Sequence, residues 1–273
     1  MLQISTFVIS LILSIGIIYF SGLSNLSVYN WFLLLAFVPV GIFLLICIYW
    51  STIVIMTLKY KKVDFTGRMN CFYTYNAGVV GSYLLFAKLA VVHKVGFSRL
   101  RKDVPQMIVF NHSSDFDSWV LYKILKGRFV FVAKASIKKL PVLGNLSTAT
   151  GTLFVDRDDA ESGMIMVDRA VDYITKQNTS VVIAPEGTRN ITGKLLPFKH
   201  GGFHIALRAR CPIVLIGLKN TEKLYHNKPF RITHIEARVI NVIRPEDYET
   251  MHAGELSDLV RDQYLAYLGQ ENE

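Results

Sequence analysis

Two side chains five positions apart, His112 and Asp117 in the run Asn111-His112-Ser113-Ser114-Asp115-Phe116-Asp117, carry the clearest chemical signal in the sequence. A free imidazole has a pKa of about 6.5, which suits proton transfer at neutral pH, but it needs a partner that fixes its tautomer. A carboxylate reached through a turn can accept from one ring nitrogen while the other faces a substrate hydroxyl. A satisfied structural histidine remains the plain alternative. A metal site at His112, Asp115 and Asp117 is a further alternative, but no second His or Cys lies near enough to complete a familiar ligand set.

Three other polar groups each follow a short apolar run. Arg157 comes directly after 152–155, and Glu186-Gly187-Thr188-Arg189 follows 180–184. The stretch Lys199-His200-Gly201-Gly202 precedes a helical pattern. Arg157, Arg189 and Lys199 together suit phosphate, because guanidinium forks match its oxygens and Gly187 lets the backbone approach. Taken singly, each is an ordinary solvated cation. In an α/β sheet, loops at one edge converge on ligands, so these three cationic loops and the His-Asp loop are expected to share a pocket.

The elements that must hold these groups show in the hydropathy pattern. Strand-like runs fall at 89–95, 107–110, 129–133, 152–155, 180–184, 213–218 and 235–243, with helical spacing at 117–125, 160–175, 203–209 and 256–268. Alternation of this kind predicts a sheet packed by helices. Asp117 or Ser118 is expected to cap the helix after the His112 cluster.

Composition divides the chain. Residues 1–58 contain no Asp, Glu, Lys or Arg, so all 30 basic and 21 acidic side chains, and the net charge of +9, belong to 59–273. Apolar segments at 6–23 and 31–58 flank a polar turn, which predicts a helical hairpin that crosses the bilayer or enters one leaflet. Lys59, Lys61, Lys62 and Arg68 stand directly behind it. By the positive-inside tendency the following domain is expected on the cytoplasmic face of the cell membrane. The chain thus reads as a membrane hairpin at 1–58, a basic juxtamembrane segment with an interfacial or domain-packed helix at 59–89, and an α/β domain at 90–273. The fold class is α/β, a hydrophobic hairpin followed by a mixed sheet flanked by helices.

The basic balance suits anionic headgroups, anionic substrates or an acidic carrier protein. Nucleic acid is not expected, since no zinc-finger spacing or RNA-binding signature occurs. Cys47, Cys71 and Cys211 are too few for a disulfide framework, and Cys47 and Cys211 read as buried small hydrophobes.

With these residues in view, the sequence resembles the glycerolipid acyltransferase family, the group that includes 1-acyl-glycerol-3-phosphate acyltransferases, over residues 91–218. The family's His-x4-Asp block matches His112 to Asp117, its second block matches Phe154 to Arg157, and its Glu-Gly-Thr-Arg block matches Glu186 to Arg189 without change. The fourth block is matched in part by Cys211 to Gly217, with Gly217 near the place of an expected second proline.

The resemblance implies that His112, held by Asp117, is a general base on a lysophosphatidate hydroxyl that attacks an acyl thioester directly. It further implies that Arg157 and Arg189 hold the acceptor phosphate, that Glu186 and Thr188 shape the glycerol region, and that Lys134 steadies the thioester oxyanion. Phe154, Gly187 and Lys199 complete the expected substrate-binding set. No bound cofactor or metal is implied. The donor is an acyl thioester of coenzyme A or of acyl carrier protein, and charge does not choose between them. The implied partners are the phospholipid bilayer, lysophosphatidate and acyl carrier protein.

Other readings stay open in the sequence: a different lysolipid acceptor, an esterase with Ser113 or Ser114 as nucleophile, or a noncatalytic membrane-docking module. Neither serine sits in a Gly-x-Ser-x-Gly elbow.

Overall fold

A computed structural model describes residues 47, 48, 51, 55, 67–101, 103–140, 143–190, 192–226 and 231–270. The chain divides into two compact units, Met1–Tyr60 and Lys61–Glu273. The expected hairpin lies outside the described residues, and no described helix is long and apolar enough to cross a membrane. Cys47, expected to be buried, is exposed, as are the described residues Ile48 and Ile55.

Within the second unit the order is α1 (Gly67–Ala87), β1 (Ala90–Val95), β2 (Met107–Phe110), α2 (Phe116–Ile124), β3 (Phe129–Lys134), α3 (Leu143–Ala149), β4 (Leu153–Val155), α4 (Ala160–Thr175), β5 (Ser180–Ile183), α5 (His204–Ala209), β6 (Ile213–Lys219), β7 (Thr233–Ile243) and α6 (Ala253–Leu268). The described strands form one sheet in the order β1-β7-β6-β2-β5-β3-β4. From β6 to β4 every pairing is parallel; β7 runs antiparallel to β6, and β1 follows β7 in parallel. The sheet is therefore mixed.

Helices cover both faces of its centre, and the two-residue period of a strand sorts the side chains between them. On β2, Met107 and Val109 join the core beneath α4, α5 and α6, while Ile108 and Phe110 join the core beneath α1 and α2. Strands β2 and β5 are buried at every position, which is why they read as unbroken apolar runs and not as alternation.

Helix α1 belongs to this packing. Cβ atoms added at Gly78 and Gly81 would lie 2.7 Å from the carbonyl oxygens of Tyr122 and Trp119, so the two glycines let α1 settle directly on the backbone of α2. The short helix α3 was not expected, because its seven residues offer too little periodicity to detect.

Chain crossings explain where a site forms. From β2 the chain passes through α2 to β3 on one side; from neighbouring β5 it passes through α5 to β6 on the other. The carboxyl ends of β2 and β5 therefore flank a topological switch point, where the connections part and leave a crevice. His112 follows β2 and Glu186 follows β5.

Candidate active site

Asp117 is the anchor of the His112 loop. Its Oδ2 accepts from Nδ1 of His112 at 2.9 Å and from the backbone N–H groups of Ser113 and Ser114, both at 2.8 Å. The carboxylate is fully buried, so these charge-assisted bonds form away from competing water. With Asp117 accepting at Nδ1, the imidazole carries its proton there, and Nε2 is the basic nitrogen.

Asp117 is not the cap of α2. The helix begins one residue earlier, Ser114 Oγ accepts from Phe116 N–H at 3.1 Å, and the Asp117 carboxylate turns back to the loop. Ser118 likewise lies inside the helix. The N-cap position itself is Asp115, whose side chain makes no capping bond and pairs with Arg189 instead.

Glu186 braces the same loop from β5. Its Oε1 accepts from His112 N–H at 2.7 Å and its Oε2 from Leu196 N–H at 3.1 Å. Burial pushes its carboxyl above the ordinary value, and the two N–H donors oppose that rise. Both oxygens serve backbone, so the carboxyl holds the His112 loop against the segment at Leu196.

Asn111 ties the end of β2 to β6 by exchanging two hydrogen bonds with Leu218, at 2.9 and 2.7 Å. From α6, the buried Tyr264 hydroxyl reaches Val109 O at 2.8 Å and Ile216 O at 3.1 Å, beneath the same strand ends. Sequence reasoning passed over both residues. Asn111 was detectable as a polar side chain closing an apolar strand beside His112, whereas Tyr264 gave no signal beyond helical periodicity.

Beside His112 opens a cavity of about 580 Å³, lined mainly by apolar side chains. It takes residues from four strand ends: Phe110 and His112 after β2, Lys134 at β3, Val155 and Arg157 at β4, and Ala184 and Gly187 after β5. Lys199 lines it too, and so do Gly163 and Met164 of α4. Gly187 adopts φ +72°, and a Cβ there would meet the Lys199 chain at 3.2 Å, so glycine both makes the turn and admits the lysine. Partial burial lowers the Arg157 guanidinium from its ordinary value, opposed by the carboxylate of Asp158. Arg208, paired with Asp168 at 2.7 Å, is a lining cation that the sequence reading did not single out.

The expected pocket is divided. Arg189 lines a second cavity, of about 1080 Å³, that shares His112 with the first. Its guanidinium binds Asp115 Oδ2 at 2.6 Å and the Tyr225 hydroxyl at 3.2 Å. Asp115 Oδ2 is thus engaged by Arg189 and Tyr225, while His112 is held by Asp117. No described group of three His, Cys, Asp or Glu side chains could hold a metal ion.

Two expected binding residues lie outside both cavities. Phe154, beside the lining residue Val155 on β4, has its ring under the Lys138 ammonium at 5.9 Å. Thr188 is exposed and lines neither space.

Comparison with known proteins shows what the segment carrying these residues is similar to. Residues 91–219 match the family model described as Acyltransferase. The match covers a little under half of the chain. It contains His112, Asp117, Lys134, Arg157, the Glu186–Arg189 block and Lys199.

The chain is 31% identical over 179 residues to a 1-acyl-sn-glycerol-3-phosphate acyltransferase of Saccharomyces cerevisiae, covering 64% of this chain and 58% of that protein. It is 31% identical over 163 residues to the human 1-acyl-sn-glycerol-3-phosphate acyltransferase alpha, covering 59% of this chain and 58% of that one. The matches thus span less than two thirds of those two relatives. Against the Limnanthes douglasii 1-acyl-sn-glycerol-3-phosphate acyltransferase the identity is 26% over 234 residues, covering 85% of this chain and 81% of the other.

The crystal structure of the 1-acyl-sn-glycerophosphate acyltransferase PlsC from Thermotoga maritima superposes with a TM-score of 0.63 at 19% identity, over 81% of this chain and 88% of that one. That likeness shows a shared fold.

Proposed function

We propose that this chain transfers a fatty acyl group from an acyl thioester to the sn-2 hydroxyl of 1-acyl-glycerol-3-phosphate at a membrane surface, giving phosphatidate. The observation that carries this is one cavity in which an Asp-held imidazole shares an apolar lining with Arg157 and Lys199. Such a lining suits an acceptor that is a phosphate at one end and a fatty chain at the other. The relatives' names point to the same acceptor class.

In this mechanism the acceptor hydroxyl lies against Nε2 of His112. Nε2 takes the hydroxyl proton as the oxygen attacks the thioester carbonyl, and Asp117 stabilises the imidazolium that forms. The tetrahedral intermediate then expels the thiolate, the C–S bond breaks, and the imidazolium returns the proton to sulfur. No acyl-enzyme forms. Lys134, at the carboxyl end of β3 in the same lining, is placed to meet the developing oxyanion. General-base assistance contributes about 10²–10⁴ in rate, and binding both reactants against one imidazole supplies much of the rest.

The serine-esterase reading has less support. The Ser114 hydroxyl accepts from Phe116 N–H, and that of Ser113 pairs with Thr221 at 3.0 Å. Neither hydrogen bond is the link to His112 that a nucleophile needs.

Membrane attachment through the N-terminal apolar segments, with the catalytic domain on the cytoplasmic face, completes the proposal and rests on the charge boundary at Lys59. The test is thiol release from an acyl thioester with labelled lysophosphatidate. The wild-type protein is expected to form diacyl product and His112→Ala is not; undiminished turnover by that variant would overturn the assignment of the base.

A further inference from the structure

Charge is distributed unevenly around the first cavity. Residues 118–155 contain no Asp or Glu but carry Lys123, Lys126, Arg128, Lys134, Lys138 and Lys139. The last three gather at the carboxyl end of β3, where Lys134 and Ile137 line the cavity and the 3-10 turn Ala135–Lys139 begins. The acids of the lining, Asp156, Asp159 and Asp168, come from the β4–α4 side. The bank formed by 134–143 is therefore purely cationic.

Apolar side chains stand exposed on the same bank. Leu140 is 49% exposed and Leu143 36%, close in sequence to the exposed Lys138 and Lys139. Among the described residues neither lysine has an ion-pair partner; Lys138 instead lies over the Phe154 ring. A single exposed leucine is ordinary. Two of them three residues apart, beside two unpaired ammonium groups and an apolar cavity, have the composition of an interfacial membrane contact.

Backbone geometry holds this bank in shape. Leu140 N–H donates to Ile137 O at 3.0 Å, and Gly144 N–H donates to Leu140 O at 2.9 Å. A Cβ at Gly144 would overlap the Lys138 carbonyl, so glycine lets α3 start directly against the turn.

We infer that the α/β domain itself docks through this bank on anionic phospholipid headgroups, with Lys138 and Lys139 at the phosphates and Leu140 and Leu143 in the interface. The inference rests on the membrane-surface reaction proposed above and adds a contact separate from the N-terminal apolar segments. Lysines are drawn to an anionic leaflet within about a Debye length, and leucines then gain by leaving water. Docking sets the apolar cavity beside the leaflet. Ile137 on this bank and Met164 of α4, 63% exposed, both line that cavity, so a fatty chain passes from lipid to the lining along apolar side chains.

The experiment places the full-length protein in vesicles of phosphatidylcholine alone, or of phosphatidylcholine with phosphatidylglycerol, and follows amide exchange of the peptide 135–145 by mass spectrometry. Exchange in wild type is expected to slow roughly threefold or more in the anionic vesicles relative to the neutral ones, and the Lys138→Glu/Lys139→Glu variant to lose that difference. In thiol release, the double variant is expected to lose roughly fivefold or more with long-chain lysophosphatidate carried in anionic vesicles, and to match wild type with a short-chain, water-soluble lysophosphatidate. Exchange that is equal in the two kinds of vesicle, or a difference that survives the double variant, overturns the inference. So does an equal loss with both acceptors, which places the lysines in the reaction and not at the membrane. Slowing by acyl carrier protein without vesicles, and none by anionic vesicles, assigns the bank to an acidic protein and overturns it as well. A wild-type protein that releases no thiol overturns the acyltransferase reading alone, and the exchange measurement still decides the docking.

Discussion

The Asp117→Asn variant isolates the charge behind the imidazole. An asparagine fits the same space, and its carbonyl can occupy the position of Oδ2, where three N–H donors converge. The flipped orientation would set an NH2 group against those donors. The carbonyl orientation therefore persists, and with it the tautomer of His112. What disappears is the negative charge beside the imidazolium that forms as the hydroxyl is deprotonated.

At 2.9 Å that attraction is about 6 kcal/mol for an effective dielectric of about 20, and about 1.4 kcal/mol in bulk water. Full burial of Asp117 favours the upper part of this range, and the 18% exposure of the His112 side chain keeps the value below its limit. A loss of about 2.7–5.4 kcal/mol corresponds to about 10²–10⁴ in kcat, at 1.36 kcal/mol per decade. Because Arg157 and Lys199 remain in the cavity, KM for lysophosphatidate is expected to stay within about twofold.

The assay is thiol release under saturating donor and acceptor, with near-ultraviolet circular dichroism to verify packing. The NH2 group of the variant also occupies the place of Oδ1, which is buried without a hydrogen-bond partner, so a stability loss of about 1–3 kcal/mol accompanies the kinetic one. A folded variant with kcat within threefold of wild type would refute the claim that a buried carboxylate drives His112 as a base.

Three more outcomes are expected. Arg157→Ala raises KM for lysophosphatidate by roughly 10–150-fold, the equivalent of a charged hydrogen bond at about 1.5–3 kcal/mol, and leaves transfer to an uncharged monoacylglycerol unchanged; equal losses with both acceptors would remove Arg157 from phosphate binding. Gly78→Ala and Gly81→Ala each drive a methyl group into a carbonyl of α2, costing about 1–3 kcal/mol and lowering Tm by roughly 2–12 °C, and a scanning-calorimetry trace unchanged in either variant would contradict the close helix contact. Glu186 has a raised folded-state pKa, so the folded protein binds its proton more tightly than the unfolded chain does. Wild type is therefore expected to lose stability relative to Glu186→Gln as pH rises from the ordinary carboxyl value of 4.5 through the raised one, and to level off above it. Urea midpoints across a pH series would show the opposite slope if Glu186 were held as a favoured anion.

Most of the strands were legible because the sheet is parallel at its centre and buries them on both faces, which leaves short, dense apolar runs such as 107–110 and 180–183. The His112–Asp117 pair was legible because five residues of turn suffice to join them. The partition of the cations was not. Arg157 and Arg189 both follow strands of the parallel block, but β2, whose loop carries His112, lies on the far side of β5 from β3 and β4. Arg189 is instead drawn to Asp115 and Tyr225 beside the second cavity, long-range contacts that local sequence does not encode. Phe154 lies beneath the Lys138 ammonium and is absent from the lining of either cavity, a placement that the sequence pattern did not show.

Gly217, the departure from the family's fourth block, shows how one substitution is absorbed by packing. A Cβ at this position would overlap the ring of Tyr267, so β6 admits that ring only because residue 217 has no side chain. The glycine lines neither cavity near His112; its effect passes through Tyr267. The ring that rests on Gly217 also lies beneath the Lys219 ammonium, and the Tyr267 carbonyl accepts from the same group. A residue larger than glycine at 217 would displace the ring and with it the fixed cation of the second cavity. The position thus governs the geometry of a charge that it never touches.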